Sequence, residues 1–222
     1  MKKLAVIFGL ALSLTLITGC HGIHFFGKGV AGSGVRKTEK RVVSNFKRIE
    51  VGGAYKVEIV AQQSEQGIEL EGDDNILPLV KTEVSGDTLH IGSDEPFNTK
   101  KAIVVKIAAS DVQGLNISGA CDASAKNIKT DRFDMNVTGA SDIIVQGETT
   151  SLKISSRGAS KIDAENLTAR SVNVSTSGAG KTRIYASEEL TADASGASTI
   201  TYSGDPKVVN KKDSGASTIT KK

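Results

Sequence analysis

The chain of 222 residues has few of the large side chains that normally fill a thick core. It has no tryptophan, six phenylalanines and three tyrosines, so aromatic residues make up only 4% of it, beside 23 glycines. Apolar residues reach 38%, which is low for a globular chain but too high for a disordered one. We therefore expect a folded protein with a thin core.

Cysteine and net charge are also scarce. Two cysteines exclude a disulfide scaffold and a four-cysteine zinc site. The 28 basic and 25 acidic side chains give a net charge of only +3, without the dominant basic field of a nucleic-acid binder. We expect no nucleic-acid partner.

The first twenty residues have the pattern of a bacterial lipoprotein signal. Lys2 and Lys3 precede an apolar run over 4–17, which is too short to span a bilayer and ends in Ile17-Thr18-Gly19-Cys20. This resembles a lipobox, and it predicts a signal peptide over 1–19 and lipidation of Cys20, whose acyl chains would bind the membrane. The alternative is an ordinary secretory signal with a chance cysteine.

The segment 20–40 is predicted to be a flexible tether because five glycines fall between residues 22 and 34. His21 and His24 are too few to predict a metal site there. Residue 21 is not Asp, which in enteric-type sorting indicates the outer membrane; either face of that membrane is open. The expected location is the cell envelope.

Six Gly-Ala pairs recur in the second half of the chain. Their glycines are spaced by 20, 19, 20, 18 and 19 residues: Gly119, Gly139, Gly158, Gly178, Gly196 and Gly215. Apolar residues alternate before each pair, as in Leu152 and Ile154, which is typical of half-buried strands. A period of this length indicates one supersecondary unit per repeat.

These observations predict an all-β fold, a single-stranded parallel β-helix (β-solenoid) with coils of about 19 residues, the six glycines being structural corner residues. Coils about 4.8 Å apart would give a rod segment roughly 30 Å long. The repeats are assigned to 111–222. Residues 41–110 alternate less regularly and are predicted to be an irregular N-terminal β lobe, in which Gly53-Ala54 resembles the later corners.

No arrangement of catalytic residues is evident. Cys121 takes the position that Ser141 and Ser160 take in other repeats, which indicates a small corner residue. Asp122 and Asp142 provide too few oxygens to predict a calcium site. We predict neither catalytic residues nor a metal or other cofactor.

Three segments resemble a known family. They are Arg41 to Val51, Gly53 to Ile59 and Glu71 to Pro78, and the later Ser/Thr-Gly-Ala-Ser repeats are similar as well. Together they resemble the putative auto-transporter adhesin, head GIN domain family over about residues 40–220. The resemblance implies a single-stranded β-helix in an envelope protein, a role in adhesion, and no catalytic motif.

The expected function is that of a non-enzymatic, lipid-anchored envelope protein that displays a rigid β-solenoid as an adhesin or interaction module, with an unidentified protein or glycan partner. One alternative is a β-helix protein that binds or degrades polysaccharides, although such enzymes need clustered carboxylates and usually aromatic platforms. Another is a periplasmic module for a lipid or small ligand, for which a thin core leaves little cavity. The sequence predicts no oligomeric state.

Overall fold

The computed structural model describes residues 29–222, which form an almost entirely β structure with one short 3-10 helix. The predicted signal peptide and Cys20 lie outside the described residues. Within 29–222, no helix is both long enough and apolar enough to cross a membrane.

Before the regular repeats, the described residues form nine strands and the 3-10 helix Leu77–Leu79. The strands are β1 (Val30–Ala31), β2 (Arg36–Arg41), β3 (Arg48–Gly53), β4 (Tyr55–Val60), β5 (Gly67–Asp73), β6 (Val80–Ser85), β7 (Thr88–Ser93), β8 (Phe97–Asn98) and β9 (Ile103–Ala108).

The repeats form eight more strands, four of which are long because each continues around most of one coil. They are β10 (Gly114–Gly119), β11 (Asp122–Gly139), β12 (Asp142–Gly158), β13 (Lys161–Gly178), β14 (Lys181–Gly196), β15 (Thr199–Ser203), β16 (Val208–Asp213) and β17 (Thr218–Lys221).

The coils stack into a parallel β-solenoid, which confirms the predicted fold class. Side A contains the residues that follow each Gly-Ala corner, in the order β2, β5, β9, β4, β11, β12, β13, β14, β15, β17. Side B contains those that precede it, in the order β6, β7, β3, β10, β11, β12, β13, β14, β16. The ten strands of side A, about 4.8 Å apart, give a length of about 43 Å.

The first coils are stacked in a different order from the sequence. β3 and β4 form the second coil, because β7 and β9 lie on one face of it and β10 and β11 on the other. The chain thus builds the second coil, returns to make the first, and then passes to the third. Gly53 aligns directly with Gly119, although Gly119 lies 66 positions later in the sequence.

The strand pairing shows how the predicted segments meet. β2, from Arg36 to Arg41, pairs with β5, so the folded part begins inside the segment predicted to be a tether. The lobe 41–110 was assigned to the same domain as the repeats, and its strands β3 and β4 are in register with β10 and β11. Backbone pairing across these boundaries makes one continuous stack.

The core is a set of columns in which equivalent residues of successive coils touch. One column on side B is Ile49, Leu115, Met135, Ile154 and Val174, all nearly inaccessible to solvent. Each coil contributes only a few such side chains. The thin core expected from the scarcity of aromatic residues follows from this small cross-section.

Candidate functional site: the stacked corners and the neighbouring groove

The predicted corner glycines lie on one another along the rod. Gly119, Gly139, Gly158, Gly178 and Gly196 are aligned partners in adjacent strands. The amide of each following alanine donates to the glycine carbonyl of the preceding coil, as Ala140 does to Gly119 at 2.9 Å. The same bond joins Ala216 to Gly196 at 2.8 Å, which places Gly215 in the column.

Glycine is required at these corners because the backbones approach too closely for a side chain. Gly139 has φ of 114°, and a Cβ atom there would lie 2.2 Å from the carbonyl oxygen of Gly119. Both the conformation and the contact exclude an L side chain.

A column of buried hydroxyls, not anticipated from the sequence, lies beside the glycines. The Ser160 hydroxyl donates to the carbonyl of Gly139 at 3.1 Å and accepts from the amide of Ser141 at 3.2 Å. The Ser141 hydroxyl likewise donates to Gly119 and accepts from the amide of Cys121. These side chains link each coil to its neighbours and satisfy buried backbone groups. The repeated serine was a visible signal, but alternation alone does not show that it points inward.

The hydroxyl column is interrupted at Gly180, which the sequence shows as the one glycine in this position. A Cβ there would lie 3.2 Å from the Thr176 methyl carbon. The Thr176 and Thr182 hydroxyls are buried and lie 3.0 Å apart, within hydrogen-bonding distance. A threonine pair inside the core therefore occupies the space that the missing side chain leaves.

Cys121 occupies the same position and is only 3% exposed. Burial raises the pKa of its thiol, so the thiolate is disfavoured. Its sulfur lies 3.5 Å from the carbonyl oxygen of Gly53, where the other coils have a serine hydroxyl. The residue acts as a small part of the corner.

A second corner, which the sequence analysis missed, lies halfway around each coil. Asn127 has φ of 60° and Gly147 has φ of 142°. A different residue type therefore forms the turn in each of these two successive coils. Gln62, at the matching end of β4, also has a positive φ of 62°. Glycine returns at this corner at Gly204, with φ of 89°, but no residue type repeats there in every coil, so the corner has no regular sequence signature.

An open groove of about 630 Å³ runs beside the second corner. It crosses several coils, since Lys129, Glu148 and Thr168 are aligned neighbours along it. Every side chain that lines it is polar or charged; they include Gln62, Gln113, Asp131, Glu148, Thr168 and Arg170.

Several groups in this groove are already paired. Lys129 Nζ lies 3.0 Å from Glu148 Oε1, and the Gln113 amide donates to Asp111 at 2.7 Å. The Gln62 amide nitrogen lies 3.4 Å from the Lys129 carbonyl oxygen. The groove therefore presents amides, hydroxyls and carboxylates in a nearly charge-balanced surface, which suits an uncharged, hydroxyl-rich ligand better than an ion.

The outward charges on side A are paired along the rod. Lys161 Nζ lies 3.3 Å from Asp142 Oδ2, and Arg183 Nη1 lies 3.2 Å from Asp163 Oδ2. Across the described part of the chain, no three His, Cys, Asp or Glu side chains gather in a way that could hold a metal ion. These surfaces have the character of solvated faces.

Residues 45–206 match the family model described as putative auto-transporter adhesin, head GIN domain. The chain belongs to this family. Among curated proteins, none matches the sequence.

Solved structures share the fold. A putative adhesin from Bacteroides fragilis is 21% identical, with a TM-score of 0.66, covering 87% of this chain and 100% of that one. A putative adhesin from Parabacteroides merdae is 18% identical, with a TM-score of 0.53 and coverages of 88% and 99%. A protein described as a putative lipid binding protein from Parabacteroides distasonis is 20% identical, with a TM-score of 0.50 and coverages of 88% and 100%.

Proposed function

We propose that this member of the head GIN domain family is a non-enzymatic, lipid-anchored protein of the bacterial cell envelope that displays its β-solenoid for adhesion. The family name supports the adhesive role. The lipobox-like sequence at Cys20 supports the anchor, and the residue at position 21 supports the outer membrane.

The observation that carries this proposal is the position at which the chain enters the rod. β1 pairs with β8 and β2 pairs with β5, so the chain joins the stack beside its first coils. Eight residues lie between Cys20 and Gly29, and the nine steps from one Cα atom to the other span at most about 30 Å when extended. An anchored Cys20 would therefore hold the first coils near the membrane and direct the last coils away from it.

Intact cells provide the test. Protease treatment should remove the rod without cell lysis, and a Cys20→Ser strain should lose the protein from its membranes. A deletion strain should bind neighbouring cells and host or mineral surfaces less well than the parent. Normal adhesion by the deletion strain would contradict the adhesive role, whereas release of the unaltered protein from membranes by salt would contradict the anchor.

The polar groove favours a second candidate, the binding of a neutral polysaccharide. Amide and carboxylate side chains form paired hydrogen bonds with hydroxyls, and the groove follows the rod over several coils as an extended polymer would. The matched test compares how strongly the parent protein and its variants are retained on immobilised neutral glucans, xylans and chitin oligomers. Gln62→Ala with Gln113→Ala should reduce retention about tenfold. Asn173→Ala, on the outward face of side B, should not.

A further inference from the structure

The two ends of the rod are built differently. At the first coils, β5 and β6 run antiparallel to the strands they cover, and Ile76, Leu77 and Val80 are buried there. At the other end, β16 pairs only with β14 and β17 only with β15 among the described residues. Every residue of β16 is exposed. The last coil thus has strand edges available for pairing, a feature that promotes association.

Charged residues enter the inward columns at this last coil. Lys211 is aligned with Ala192, and Asp213 with Ala194. In the preceding coils the same two columns hold only apolar or hydroxyl side chains, among them Val174 and Thr176. The change from core residues to charges occurs at β16, the last strand of side B among the described residues.

Lys211 also covers the end of the core. Its ammonium group lies 4.6 Å from the centre of the Tyr202 ring, on the opposite side of the coil. Tyr202 is only 5% exposed. The lysine stem and its cation–π contact therefore shield apolar surface while the charge stays in water.

We propose that Lys211 and Asp213 prevent the C-terminal end of the rod from stacking on the same end of a second copy of this chain. The first coils of a second copy are already covered, so its own C-terminal end is the surface that could stack here. That contact would bury the ammonium and the carboxylate in a core, which is unfavourable for both groups. Five lysines against two aspartates in residues 205–222 add repulsion between two such ends.

The test removes the two inward charges of β16 in a chain made from residue 20 with Cys20→Ser, so that every described residue is retained. K211L/D213V should form dimers, not fibres, because pairing of like ends closes with two-fold symmetry. Its dissociation constant for self-association, measured by sedimentation velocity, should be at least about tenfold lower than that of the parent, a difference of about 1.4 kcal/mol.

The matched control is N210V/K212L, which adds two apolar residues and removes one lysine on the same strand but at outward positions. It should remain as monomeric as the parent. The variant K211M/D213S retains a similar stem against Tyr202 and places a hydroxyl in a column that already holds Ser156 and Thr176, so it should associate even if K211L/D213V does not fold. A monomeric K211M/D213S, equal association of the outward control, or a parent that already pairs through this end would overturn the proposal.

Discussion

Gly139 shows how a single residue determines the shape of a coil. Its positive φ lets the chain turn between sides B and A, and its missing side chain lets adjacent coils form the bond from Ala140 to Gly119. The sequence identified this role from periodicity. The carbonyl that would meet a Cβ atom is visible only when the coils are stacked.

Gly139→Ala should therefore be strongly destabilising. The added Cβ would clash with the Gly119 carbonyl and the residue would keep an unfavourable φ, which should reduce the free energy of unfolding by roughly 2–4 kcal/mol. Denaturant titration measures this loss. Gly86→Ala is the control, because Gly86 also has a positive φ but no heavy atom within 4 Å of its added Cβ. Equal losses in both variants would show that φ alone matters.

The buried hydroxyl column leads to a second prediction at this scale. Ser160→Ala removes the acceptor for the buried amide of Ser141 and the donor to the carbonyl of Gly139. We expect a loss of about 1–3 kcal/mol in the free energy of unfolding. Ser155→Ala, at a partly exposed outward position on side B, should cost less than about 0.5 kcal/mol. A Ser160→Ala variant as stable as Ser155→Ala would mean that the column is not structurally important.

The buried phenol of Tyr55 should make the free energy of unfolding depend on pH in the alkaline range. Burial, with the nearby Cys121 as a smaller contribution, raises the pKa of its phenol from 10.0 to about 12. Because the folded state favours the protonated phenol, this contribution is fully present below pH 10 and is lost as the pH rises to about 12. A shift of this size corresponds to a loss on the order of 2 kcal/mol.

Tyr55→Phe should consequently show a shallower decline of unfolding free energy from pH 9 to 12 than the parent. Thermal or denaturant unfolding at each pH measures the slope. Tyr185→Phe, which removes a less buried phenol, controls for the loss of a hydroxyl. The same slope in the parent and in Tyr55→Phe would contradict the proposed contribution of Tyr55.

At the scale of strands and corners, the regular coils were predictable because each repeats the same local pattern. Alternation before a Gly-Ala pair identified the second halves of β11 to β14 and the corners that follow them. The second corner was not predictable, since Asn127 and Gly147 turn the chain with different residues. The groove beside it was missed for the same reason.

The first coils were harder to predict because their neighbours are distant in sequence. β3 lies between β7 and β10, so its packing partners come from later parts of the chain. A periodicity search compares fixed intervals, and here the interval from Gly53 to Gly119 is more than three times the regular one. The Gly-Ala pair at residues 53–54 was the one local feature that indicated the shared register.

At the scale of the whole molecule, stability should arise mainly from contacts between adjacent coils. Each long strand pairs with the coil before it and the coil after it, as β12 does with β11 and β13. In such a stack the free energy is approximately a sum over coils and the interfaces between them. One complete coil should therefore be removable if the columns on either side remain compatible.

Deletion of residues 141–159 removes one coil and joins Ala140 to Ser160. In the shortened stack Asp122 would align with Lys161, Phe133 with Val172, and Gly139 with Gly178, so every column keeps a suitable neighbour. We expect a folded β protein whose denaturant m-value is lower by about a tenth, in proportion to the surface buried. Deletion of residues 141–150 is the matched control, since half a coil places inward residues against outward ones. It should fail to fold cooperatively, as followed by circular dichroism. Cooperative folding of the half-coil deletion, or unfolding of the complete-coil deletion, would show that stability does not depend on the register of the columns.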